Sequence, residues 1–114
     1  MPILNLYTTN TKYEDALKAK GRDLRVYLAK ELSCGDIELT PEEISIRFIA
    51  SNSADTMIGK VEAEIFVYHF EDRVKNQDII CRKVARFLEE ILKLDLQEVQ
   101  CWLILSELGH SWEQ

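Results

Sequence analysis

Proline stands at position 2, directly after the initiator methionine. Methionine ahead of so small a residue is commonly removed during synthesis, and its removal leaves a secondary amine at the start of the chain. An ordinary α-amino group titrates at a pKa of ~8. Enclosure in an apolar site beside cations lowers that value, because both effects disfavour the charged form. A neutral amine at physiological pH then serves as a general base. The same proline also suits the first position of an edge strand, where its missing N–H does no harm. The dipeptide alone fits either role.

Cations supply the second kind of chemistry. Lys12 and Arg73 fall at equivalent points, just inside the starts of two expected helices. A helix N-terminus carries partial positive charge, so a basic residue there is slightly unfavourable. Its recurrence points to an anion held with help from the helix end; two solvated surface residues are the plainer account. Arg47 lies mid-strand in Ile44-Ser45-Ile46-Arg47-Phe48-Ile49. A charge flanked by apolar residues needs a partner. Glu62 or Glu64 on the next strand fits that need, and so does an incoming carboxylate matched by the planar guanidinium fork. Otherwise Glu62 and Glu64 read as interface or solvent residues, His69 and His110 as structural, and Trp102 and Trp112 as core or interface. His69 and His110 lie far apart, without metal-ligand spacing. There is no glycine-rich phosphate loop and no Ser-His-Asp order. No metal or other cofactor is expected.

These residues are positioned by a pattern written twice. Pro2 to Thr8 reads as a strand. A helix follows, with Tyr13, Leu17, Leu24, Leu28 and Leu32 at helical spacing, a Thr11–Glu14 capping box, and a stop at Cys34-Gly35. Glu43 to Ala50 is a second strand, Val61 to Phe70 a third, about Arg73 to Leu92 a second helix, and Gln97 to Leu105 a fourth strand. Leu39-Thr40-Pro41-Glu42-Glu43-Ile44 and Leu94-Asp95-Leu96-Gln97-Glu98-Val99 lead into strands two and four with the same pattern of types. Residues 1–114 therefore read as one α+β domain with pseudo-repeats over about 2–50 and 61–106. Each β-α-β unit pairs parallel strands through a right-handed crossover. Two units side by side give a four-stranded mixed sheet with two helices on one face. The strands are apolar on both sides, so the other face calls for cover; symmetric self-association supplies it most simply, and a monomer whose tail covers part of the sheet is the plainer alternative.

The bulk numbers narrow the partners. The 114 residues are 46% hydrophobic and 30% charged, with a net charge of −6. That balance supports a core and repels nucleic acid and anionic membranes. The start lacks the basic region and apolar run of a secretion signal, and no stretch is long enough to span a bilayer. Three cysteines (Cys34, Cys81 and Cys101) with no CxxC pair fit free thiols in a reducing cytoplasm.

A Met1-Pro2 start on a strand, a doubled β-α-β pattern and this length together resemble the tautomerase superfamily, over essentially the whole chain. Ser45-Ile46-Arg47-Phe48 is similar to the second-strand segment of 4-oxalocrotonate tautomerase, whose arginine binds a substrate carboxylate. Phe70-Glu71-Asp72-Arg73 is similar to the strand-to-helix turn of 5-carboxymethyl-2-hydroxymuconate isomerase, where an arginine faces the substrate, and Ser106-Glu107-Leu108-Gly109-His110 resembles that enzyme's end. Met57-Ile58-Gly59 resembles the post-strand loop of the macrophage migration inhibitory factor branch. The resemblance implies a cytoplasmic homotrimer that moves a proton in a small carboxylate-bearing keto or enol acid. Pro2 would be the base, with Arg47, Arg73 and Lys12 binding the substrate. It equally allows a non-catalytic oligomeric binding protein of the same fold. The glycine-rich stretch usual after strand two is reduced to Gly59, and Ser33-Cys34-Gly35-Asp36 holds no counterpart of the lysine near the first helix's end.

Overall fold

The computed structural model describes residues 2–35, 37–52, 55–57 and 59–106. The strands are β1 (Ile3–Thr8), β2 (Ser45–Ala50), β3 (Val61–Tyr68) and β4 (Val99–Ser106). The helices are α1 (Thr11–Ala19), α2 (Gly21–Leu32), α3 (Glu71–Lys75) and α4 (Gln77–Leu92). The sheet order is β2-β1-β3-β4. β1 runs parallel to β2, β3 parallel to β4, and the central β1–β3 pair is antiparallel, with Ile3 opposite Phe66. The two β-α-β units are thus related by a pseudo-two-fold between β1 and β3.

Period-two alternation sorts every strand. Leu4 and Leu6 of β1, and Val61, Ala63, Ile65 and Val67 of β3, are buried against the helices. Leu17, Leu24, Leu28 and Leu32 meet them from the first helical segment, and Ile80, Val84 and Leu88 from the second. The opposite face carries Phe66 at 37% and Trp102 and Ile104 at 40% exposure.

Each expected helix is two. The first breaks at Lys20, whose N–H bonds to Leu17 O three residues back, immediately before Gly21, a residue that weakens a helix interior. The second breaks at Asn76, whose side-chain amide donates to Asp72 O and competes with the backbone ladder. The capping box expected at Thr11–Glu14 is instead an Asn10 cap, with Oδ1 accepting from Lys12 N–H at 2.9 Å. The second strand starts at Ser45 rather than Glu43, because Pro41–Glu43 forms a 3-10 turn. The Glu43 carboxylate closes it by accepting from Thr40 N–H and Oγ1.

α4 ends with Lys93 in the left-handed region (φ 55), its N–H bonded to Glu90 O and that of Leu94 to Glu89 O. Glu89, 2% exposed, accepts from the Val99 N–H at 3.2 Å and from Arg86 at 2.8 Å. It ties the end of α4 to the start of β4. Glu89→Ala leaves the buried Val99 N–H without an acceptor, at an expected cost of about 2 kcal/mol. A urea titration reads this as a lower midpoint with an unchanged slope.

Candidate active site

Pro2 is buried at the amino-terminal end of β1, and its carbonyl accepts from Ser45 N–H at 3.1 Å. Because β1 and β3 are antiparallel, this is also the end where β3 finishes. The starts of β2 and α3 and the finish of α2 gather there too.

Arg73 belongs to this end. It is 3% exposed, and its side chain turns back from α3 into the helix layer. Nε and Nη2 donate to Leu32 O at 3.0 and 2.9 Å, and Nη1 donates to Tyr68 O at 2.9 Å. The Phe70 ring lies 4.8 Å from the guanidinium carbon. Burial pushes the Arg73 pKa down from its usual value, although a guanidinium stays charged. Beside it lies a cavity of about 330 Å³ lined by Ser33, Cys34, Asp72, Arg73, Asn76 and Lys83. Three of the five guanidinium N–H groups are committed to the fold. α3 is five residues long, so no extended helix dipole accompanies the arginine.

Lys12 stands at the other end. α1 follows the carboxyl end of β1, which puts Lys12 a strand's length, about 20 Å, from Pro2. The side chain is exposed. Lys12 and Arg73 are equivalent in the repeat, but the antiparallel β1–β3 pair sends equivalent positions to opposite ends of the sheet. One protomer cannot bring both to one substrate. The Lys12 end has its own cavity, of about 630 Å³, lined by Thr9, Asp55, Met57, Lys60, Gln97 and Glu98. Lys60 and Glu98 pair across it at 2.9 Å. Gly59 sits tightly there, since an added Cβ would lie 2.7 Å from Glu98 O.

Arg47 is exposed on the open face of edge strand β2. The sequence reading placed Glu62 and Glu64 on the strand next to Arg47, but neither is there, because β1 lies between β2 and β3. Arg47 is opposite Asn5, and Asn5 opposite Glu64. Arg47 makes no ion pair among the described residues. Arg22 and Arg25 share the adjoining groove; Arg22 is held by Glu42 at 2.8 Å, and Arg25 Nε by Pro41 O and Ile44 O.

The open face carries features that motif reading passed over. Tyr7 donates to Glu64 Oε1 at 2.5 Å, and that bond chiefly raises the Tyr7 pKa. Asn5 Oδ1 is buried with no hydrogen-bond partner among the described residues. Alternation along β1 was the available signal, since it sends Asn5 and Tyr7 to the face that Leu4 and Leu6 avoid. His110, Trp112 and the Glu107–His110 segment lie outside the described residues.

No protein-family model matches the sequence, and no curated protein matches it. Solved structures do match. A member of the cis-3-chloroacrylic acid dehalogenase family superposes with a TM-score of 0.65 at 9% identity, over 95% of this chain and 81% of that one. A fused 4-OT wild-type asymmetric trimer gives 0.62 at 9% identity, over 91% and 85%. MIF2 of Leishmania major gives 0.59 at 9% identity, over 98% and 93%. No helix among the described residues is long and apolar enough to cross a membrane. Two parallel β-α-β units joined antiparallel through β1 and β3, with helices on one face only, make this the fold of the tautomerase superfamily.

Proposed function

We propose that this chain moves a proton in the keto–enol conversion of a small carboxylate-bearing substrate, as a cytoplasmic homotrimer, with the Pro2 amine as base once Met1 is removed. The observation that carries the reading is the burial of Pro2 at the sheet end that also holds the Arg73 guanidinium. Low dielectric and a nearby cation both hold a terminal amine neutral. Arg73, with two N–H groups beyond the three committed to carbonyls, favours developing oxyanion charge. Arg47 binds the carboxylate from the open face, at the boundary with a neighbouring protomer. Lys12 takes no part at Pro2 within one protomer. Exposed Phe66, Trp102 and Ile104, with Asn5 Oδ1 buried and without a hydrogen-bond partner among the described residues, support an assembled open face.

A second reading, a non-catalytic oligomeric binding protein, draws support from Arg73, whose guanidinium is largely paired off within the fold.

The test joins intact mass to activity. An untagged preparation is expected to lack one methionine and to accelerate ketonisation of a small enol acid. A preparation that keeps Met1 has an amide nitrogen at Pro2, which overturns the base and leaves the binding protein.

A further inference from the structure

The free edge of β2 gathers three arginines along one groove of about 590 Å³. Arg22 and Arg25 reach it from α2 and Arg47 from the strand, and Ile44, Ile46 and Phe48 supply its apolar lining. No carboxylate lines it among the described residues. The fold makes little use of these cations. Arg25 donates to Pro41 O at 2.9 Å and Ile44 O at 3.2 Å through Nε alone, so both of its Nη groups lie beyond those bonds. Arg22 pairs with Glu42 at 2.8 Å, but both side chains are 63% exposed, and such a pair contributes little. Arg47 makes no ion pair among the described residues. Three guanidiniums against one carboxylate leave two positive charges unmatched, in a chain whose net charge is −6.

The backbone adds neutral donors at the same edge. Ser45 N–H and Ser51 N–H donate across to Pro2 O and Thr8 O of the first strand segment. In a parallel ladder alternate residues bond to the same neighbour, so Ile46 and Phe48 turn their N–H groups the other way. That side of β2 has no strand partner among the described residues.

We propose that this groove binds a phosphate monoester carried on an apolar or aromatic body. A phosphate monoester bears a charge of about −1.5 to −2 at neutral pH, which answers the two unmatched cations. Its oxygens accept from planar guanidinium forks and from backbone N–H groups. A monocarboxylate would leave one cation unmatched. The half-buried Ile46 and Phe48 offer apolar surface to the body of the ligand. Arg47 is also the residue assigned above to the substrate carboxylate; on that reading the phosphate monoester competes with substrate, although the groove itself does not depend on it.

The experiment titrates phenyl phosphate, inorganic phosphate and benzoate into the full chain by isothermal calorimetry at fixed ionic strength. Phenyl phosphate is expected to bind at least about tenfold more tightly than benzoate, and more tightly than inorganic phosphate. Arg47→Gln should weaken phenyl phosphate about tenfold with an unchanged urea midpoint. Glu42→Gln, which releases Arg22 from an exposed pair, should tighten it about two- to threefold. Benzoate binding as tightly as phenyl phosphate overturns the proposal, as does an affinity that neither substitution alters. Equal affinity for phenyl phosphate and inorganic phosphate overturns the apolar body. Binding is read without turnover, so a groove that fails this test leaves the Pro2 proton transfer to its own, and an inactive Pro2 leaves the groove standing.

Discussion

Arg73→Met is expected to lower the free energy of unfolding by about 3 kcal/mol, more than any other single side-chain change considered for this fold. The guanidinium is a buried cation with no carboxylate within ion-pair distance among the described residues. Its charge is met by the carbonyls of Leu32 and Tyr68 and by the Phe70 face. Leu32 is the last residue of α2, where carbonyls have no intrahelical donor and the helix dipole favours a cation. Two effects compete on replacement. Removing a desolvated charge is favourable. Leaving two carbonyls without their donors costs about 1 to 3 kcal/mol each. Methionine fills the volume but donates nothing, so the second effect wins.

Arg73→Lys distinguishes geometry from charge. An ammonium is a point donor and cannot span two carbonyls on different elements as the planar fork does. Its midpoint in urea is expected to lie near that of Arg73→Met. A lysine variant of wild-type stability would mean that charge alone holds the helix end. Unchanged stability in both variants would release Arg73 from the fold and return it wholly to substrate binding.

Much of this architecture was legible in the sequence. The repeat gave the number of units, and the apolar residues on both sides of the strands marked an open face in need of cover. The helix breaks were harder to see. Both lie inside unbroken apolar stripes, and only Gly21 and Asn76 betray them. The candidate site was legible residue by residue but not as an assembly. Pro2, Lys12 and Arg73 sit at motif-like positions, yet which of them share an end of the sheet depends on whether β3 lies antiparallel or parallel to β1. Local spacing does not encode that choice. The same gap misassigned Glu62 and Glu64 as neighbours of Arg47, since β1 enters the sheet between β2 and β3. The backbone partners of Arg73 were invisible for a different reason: Leu32 O is 41 positions away and has no side-chain signature.

Loss of the base is the largest effect expected on activity. If Pro2 moves the proton, Pro2→Ala is expected to lower kcat for ketonisation about 100-fold, with stability nearly unchanged. Alanine leaves a primary amine, but not the ring-held nitrogen whose direction the start of β1 fixes. Arg47→Ala is expected to act mainly on KM, raising it about tenfold or more, because a charge-assisted bond to a carboxylate contributes about 1.5 to 3 kcal/mol. Arg47 is exposed and makes no ion pair among the described residues, so its removal should leave the urea midpoint in place. Lys12→Ala, at the far end of the sheet, should change neither constant. This pattern separates chemistry from folding: Arg73 variants move stability first, Pro2 moves kcat, and Arg47 moves KM. Full activity in both Pro2→Ala and Arg47→Ala would defeat the tautomerase reading. The paired-off guanidinium of Arg73 would then mark a site adapted to holding the fold together, and the open face would become the surface on which function has to be sought.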